Sequence, residues 1–254
     1  MVDLSGIALS TAMAVAAGLV GCFAVMRRMS LASDALSHVA LPGIGLALAL
    51  HIHPVIGAVA ALILGALLVW GMERRTGIST ETVVGVVFSL ALAVGSMLAT
   101  GEELVNALLG SPGTLRAWEV GLGLAGASAI AVFVLLARHR LVLSLVSADL
   151  ARTSGVAVAR LELLYLLAFA LAVALGLRYL GVLLMGSLVI IPAATAKHLA
   201  RSLKGMLTIS VAIALFSTLA GQLVAAQLGR SPGPVIIVVA GSLFLVSLPL
   251  RRIR

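Results

Sequence analysis

The sequence predicts an all-α protein, a polytopic transmembrane helical bundle of about nine membrane helices, with eight to ten compatible, forming one domain over residues 1–254. Three observations predict it. The chain is 62% hydrophobic and 10% charged, with mean hydropathy +1.23, whereas soluble domains are usually about 45–50% apolar and about 25% charged. Runs free of Asp, Glu, Lys and Arg recur along its length, most of them near the ~20 residues that a helix needs to cross a bilayer core. Between those runs, Lys and Arg are dense in every second connection, as topology demands of a chain that crosses back and forth.

The runs are Leu4–Met26, Ala35–Leu50, Pro54–Met72, Thr82–Gly101, Val120–Ala137, Leu163–Leu177, Tyr179–Ala196, Gly205–Leu228 and Ser231–Leu250. Each reads as a helix, because lipid offers the backbone no hydrogen-bond partner and the segment must satisfy itself. The first is stopped by Arg27-Arg28, and the second and sixth are short for a full span. The third carries Gly57, Ala61 and Gly65 at a spacing of four, a small-residue stripe that lets a neighbouring helix approach closely. Trp70 and Trp118 fall near predicted helix ends and read as interface anchors. The seventh run contains Pro192, and the last opens on Ser231-Pro232-Gly233-Pro234.

Orientation follows from the basic residues. One side collects Arg27, Arg28, Arg74, Arg75, Arg138, Arg140, Arg152, Arg160, Lys197, Arg201, Lys204, Arg251, Arg252 and Arg254; the other holds Arg116, Arg178 and Arg230. The richer side is expected to be cytoplasmic, which sets the amino terminus outside. The first basic pair follows the first apolar run, so that run reads as a span and not as a cleaved leader. The net charge of +8 comes without aromatic and basic residues interleaved, which argues against nucleic acid as a partner. Cys22 stands alone, so an intrachain disulfide is excluded.

Asp34 and His38 are the most informative pair. They stand four residues apart at the head of a segment with Pro42, Gly43 and Gly45, a spacing that sets both on one helical face ~6 Å apart along the axis. Carboxylate with imidazole suits zinc, manganese or Fe(II) better than oxygen-only ions. The same spacing also fits a solvated helix cap beside Arg27 and Arg28 with a core histidine above it. Two ligands do not complete a coordination sphere, but two copies about a two-fold axis would supply four.

His51 and His53 flank Ile52 just before Pro54, as a possible metal entry or a short polar turn. Glu102 and Glu103, with Glu119 and Asn106, lie on the same predicted outer side, where acids can draw cations toward a mouth or be a solvated cluster. In the longest basic loop, Ser147 is a good N-cap, Asp149 suits the positive end of a helix, and Gly155 is a good stop. With Leu150, Ala151 and Arg152 these residues predict a short surface helix suited to docking a partner. Ser187 and Pro192 share a helix in which the proline frees a carbonyl, a place for a kink or a gate. The chain has no Gly-rich phosphate loop followed by Lys-Ser/Thr, no nucleophile elbow and no chain of intramembrane acids. It is therefore expected not to be an enzyme, and any energy for transport must come from another subunit.

Several segments together resemble the metal-type permeases of bacterial ABC importers. They are Arg27-Arg28-Met29 with Asp34-Ala35-Leu36-Ser37-His38; Leu145 to Ala151 with Gly155; Gly181 to Thr195 with Ser187 and Ile190-Ile191-Pro192-Ala193-Ala194; and Ser231-Pro232-Gly233-Pro234. The resemblance covers essentially the whole chain. It implies a homodimer in the bacterial inner membrane bound to two ATP-hydrolysing subunits and fed by an extracytoplasmic metal-binding protein. Zinc, manganese or iron would be the cargo, with no resident cofactor, Asp34 and His38 would contact the metal, and Asp149–Gly155 would meet the ATPase. Ser33 stands where the family often has Gly, and Ser111 follows Leu109-Gly110 where the family often has an acid. The competing readings are a gradient-driven secondary metal transporter, which calls for more buried acids; a chelate or haem permease, which has no need of both Asp34 and His38; and a non-transporting membrane scaffold, in which replacing Asp34 would change nothing but stability.

Overall fold

The computed structural model describes residues 4–29, 32–98, 117–180 and 182–250. Ten helices are found there: α1 Leu4–Met26, α2 Ala32–Ala49, α3 Pro54–Thr76, α4 Thr80–Leu98, α5 Ala117–Val146, α6 Ala148–Thr153, α7 Val158–Leu180, α8 Val182–Leu199, α9 Leu203–Leu228 and α10 Pro232–Leu250. No strand occurs among the described residues. The nine long helices match the nine predicted runs in order, and α6 is the predicted surface helix. Seven of the nine, all but α2 and α8, are long and apolar enough to cross a membrane.

The centre of the bundle is α1, which packs against α5, α7, α8 and α9. Small residues make that possible. A Cβ on Gly21 would lie 1.9 Å from the Val189 carbonyl oxygen, so the α1 and α8 backbones meet where no side chain fits. Hydrogen bonds then pin the register: Ser210 Oγ donates to the Gly18 carbonyl, Gln222 Nε2 to Ser10 Oγ, and the Tyr165 hydroxyl to the Val20 carbonyl. In lipid, where apolar surface gains little by leaving its solvent, such close packing and interhelical bonds hold helices together.

Beside this core, α2 packs on α3 and α4 and reaches α7 and α8. The predicted stripe on α3 lies in that interface. A Cβ on Gly57 would meet the Gly43 carbonyl oxygen at 2.1 Å, and one on Gly65 would lie 2.8 Å from Val39. The outer faces of α3, α4, α5 and α10 expose Leu64, Leu90, Leu136 and Val246, an apolar belt that suits a lipid surroundings and not water.

Three expectations change. The fifth run was bounded at Arg138, yet α5 continues through Arg138, His139 and Arg140 to Val146, 30 residues in all, because charged side chains end an apolar run without ending a helix. Glu119, expected in a solvated loop, stands in the first turn of α5 and is 6% exposed. Trp70, read as an anchor in the interface, donates its indole N–H to the Ala159 carbonyl at the start of α7, 3.1 Å away; Trp118 is exposed.

Candidate functional site

The basic residues that converge at one end of the bundle come from three connections and the helix ends beside them. Arg27 lays its guanidinium 4.8 Å over the Tyr165 ring, Lys197 Nζ donates to the Val25 carbonyl at 3.5 Å, and Arg74 covers the Trp70 ring at 5.1 Å. The turn at Arg28 is left-handed, with φ of 59°. Between this turn and the α3–α4 connection lies a cavity of about 540 Å³, lined by Arg27, Arg28, Glu73, Gly77, Ile78, Ser79, Thr80 and Glu81. Thr80 Oγ1 donates to Glu73 Oε1 at 2.5 Å across its wall, and Gly77, at φ of 67°, closes α3 by donating to the Glu73 carbonyl.

Out of that end rises α2. Asp34 stands in its first turn, and its side chain lies outside the described residues. His38 is one turn further along, partly buried, its ring 5.5 Å from that of Phe88 on α4 and tilted by 60°. Leu36, Val39, Ala40 and Leu41, its neighbours along the helix, are buried. The His38 Nδ1 is buried and has no hydrogen-bond partner among the described residues. Buried polar atoms are nearly always paired, and among the described residues Arg27 Nε, His198 Nε2 and the Ser217 and Thr218 hydroxyls share this unpaired state. Among the described residues no three His, Cys, Asp or Glu side chains gather around one point.

The two other histidines of the prediction are not brought to this place. His51 and His53 are exposed at the far end of α2, about 20 Å from His38 along the axis at 1.5 Å per residue. His51 adopts φ of 55° in the turn and His53 is the residue before Pro54 at the start of α3. Glu102 and Glu103 lie outside the described residues. Ser187 is partly buried and Pro192 buried within α8, the helix that touches α1, α2, α7, α9 and α10.

The predicted surface helix is formed as its caps dictate. Ser147 Oγ accepts the Leu150 N–H at 3.2 Å, Asp149 pairs with Arg152 at 2.9 Å in solvent, and Gly155 turns the chain at φ of 80°. Ala151 is buried against the bundle while Leu150 is 53% exposed. An apolar side chain offered outward from a short, well-capped helix suits a protein partner. Partly buried Glu162, one turn into α7, sits within electrostatic reach of Arg27, Glu73, Arg74 and Arg152, which ties α6 to the basic end.

Sequence reasoning passed over Glu73, Thr80, Glu81 and Tyr165. The acids flanking Arg74-Arg75 and a lone Tyr in an apolar run were the available signals.

An apolar helical bundle with one charged end, a carboxylate and an imidazole on one helix, and a short capped surface helix beside that end fits a multi-pass membrane protein. The chain belongs to the ABC 3 transport family, matched over residues 4–251. It is 30% identical to the high-affinity zinc uptake system membrane protein ZnuB of Haemophilus influenzae, over 90% of this chain and 89% of that one. It is 31% identical to the manganese import system permease protein ScaB of Streptococcus gordonii, over 92% of this chain and 85% of that one. Among solved structures it is similar to PsaBC from Streptococcus pneumoniae in complex with Fab, with a TM-score of 0.83 and 27% identity over 98% of this chain and 92% of that one.

Proposed function

We propose that this chain is the transmembrane permease of an ATP-driven importer that carries a divalent transition metal into the cytoplasm. The observation that carries the reading is the unpartnered, buried Nδ1 of His38, one helical turn beyond Asp34 and inside a chain of the ABC 3 family. A carboxylate and an imidazole suit zinc, manganese or Fe(II), and relatives named for zinc and for manganese match at nearly the same identity. The cargo class is therefore the divalent transition metals as a group.

The rest of the reading follows from that role. Residues 1–254 act as one permease domain in the bacterial inner membrane, with the amino terminus outside, because the basic connections belong in the cytoplasm. Two copies meet about a two-fold axis so that two Asp34 and two His38 hold the ion, since two ligands leave a coordination sphere incomplete. Two separate ATPase subunits dock on α6 through Leu150 and its neighbours Ser147, Asp149, Ala151, Arg152 and Gly155, and hydrolysis happens there and not in this chain. An extracytoplasmic metal-binding protein delivers the ion at the end that carries His51, His53, Glu102 and Glu103. The proline-bearing α8, with Ser187 and Pro192, lies against α1 and α2 and serves as the gate.

The test is uptake of zinc and of manganese into proteoliposomes holding the chain with its ATPase and binding protein. ATP-dependent import that is lost in Asp34→Ala and in His38→Ala, while the complex still assembles, is the expected result. Import at the wild-type rate in both variants would remove the pair from the path.

A further inference from the structure

The ion is held on α2, whereas the ATPase docks on α6, and these two helices do not pack on one another in any substantial way. Something must carry motion between them. From α6 the chain passes to α7 through a tight connection in which the Val156 N–H bonds to the Ala151 carbonyl at 2.9 Å and the Gly155 N–H to the Arg152 carbonyl at 3.0 Å. These bonds close the end of α6, and two residues on the Val158 N–H bonds to the Val156 carbonyl at 2.8 Å where α7 begins, so a short hydrogen-bonded link joins the two helices. The first turn of α7 carries the Ala159 carbonyl, which accepts the indole N–H of Trp70 on α3. Arg74 covers the same ring, so the indole is held from one side while it holds α7 from its edge. Further along, α3 meets α2 backbone to backbone at Gly57 and Gly43, with no side chain between them to absorb a displacement.

We infer that Trp70 is the positioning residue that couples the docking helix α6 to the metal-bearing helix α2, acting through α3 as a stiff lever. The inner end of α3 has room to move, because the cavity of about 540 Å³ lies along its last turn at Glu73 and at Gly77 beyond it. On the other side Trp70 ties it to α7. A close-packed interface shifts between discrete arrangements and does not deform smoothly, so a lever fixed on one side and open on the other passes a small displacement at α6 to Asp34 and His38. A Trp in this place is more than a membrane anchor: within the face along which α3 packs on α7, the indole N–H is spent on a protein carbonyl in the turn of α7 next to the docking helix.

This inference rests on the importer reading above, and the experiment separates the two. Metal imported and ATP hydrolysed are measured together in proteoliposomes for the wild-type complex, for Trp70→Phe, which keeps a ring and removes the donor, and for Arg74→Leu, whose exposed site leaves folding unaffected. Copurification with the ATPase checks assembly. The expected result is a fall of about fivefold in ions imported per ATP for Trp70→Phe, the scale of one net hydrogen bond, and a smaller fall in the same direction for Arg74→Leu. If Trp70→Phe does not assemble, the fall in Arg74→Leu decides the matter by itself. An unchanged ratio in the assembled variants overturns the coupling role while the importer reading stands. A wild-type complex that imports no metal with ATP overturns the importer reading and this inference with it.

Discussion

Gly43 on α2 and Gly57 on α3 face each other so closely that a Cβ built on either would lie 2.1 to 2.2 Å from the other's carbonyl oxygen. The neighbouring atoms are backbone, so the helices themselves would have to separate. Overpacking a tight site costs about 1–3 kcal/mol, and Gly43→Ala or Gly57→Ala should lower the melting temperature in detergent. Gly71, where a Cβ would meet nothing within 4 Å, is the control on the same helix. A Gly57→Ala protein as stable as Gly71→Ala would mean that α2 and α3 are not packed as described.

His38→Phe separates packing from chemistry. The ring contact with Phe88 is kept, and a buried nitrogen without a partner is removed, which relieves a cost of about 1–3 kcal/mol. The variant should fold with equal or higher thermal stability and lose metal uptake by about tenfold or more, the low end for a damaged metal site. Uptake at the wild-type level would show that the imidazole only fills space.

Ser147→Ala deletes the side chain that accepts the Leu150 N–H. N-cap losses run at about 0.5–2 kcal/mol, a large share of the stability of a six-residue helix. Binding of the ATPase subunits, followed by titration in detergent, should weaken by roughly two- to fivefold. Asp149→Asn should change it less, because its ion pair with Arg152 is exposed and exposed pairs contribute about 0–1 kcal/mol. Equal affinity for Ser147→Ala and wild type would place the docking surface elsewhere.

Ser217 and Thr218 on α9 are fully buried, and among the described residues neither hydroxyl has a partner. Replacing an unsatisfied polar group by one of similar shape recovers about 1–3 kcal/mol of desolvation cost. Ser217→Ala and Thr218→Val should each raise the melting temperature. A drop in both would reveal that the hydroxyls are bonded in the working protein.

How much of this was legible in the sequence depends on the kind of signal. Apolar runs are local, so α1 was placed at its full bounds and the remaining spans, the end of α5 apart, to within about five residues. The end of α5 was missed because charge marks where lipid ends and says nothing about where helical hydrogen bonding ends. The α6 caps were readable because Ser147 and Gly155 act within a few residues of their own position. By contrast, the bonds from Trp70 to Ala159 and from Tyr165 to Val20 join segments 89 and 145 residues apart, and no spacing rule reaches that far. For the site, the i and i+4 relation of Asp34 and His38 was plain from helical geometry, while the solitary state of the His38 nitrogen required knowing that α4 brings Phe88 against one side of the ring.

The length of α5 carries one more consequence. Thirty residues make a rod of about 45 Å, against a hydrocarbon thickness of about 30 Å, and the surplus ends where α6 begins. In the proposed importer the helix is thus a spacer as well as a wall: it would set the height at which an ATPase docked on α6 rides above the lipid headgroups, with Arg138, His139 and Arg140 as a charged collar in its last third. Adding or removing one turn there would raise or lower that ATPase by about 5 Å and rotate nothing inside the membrane.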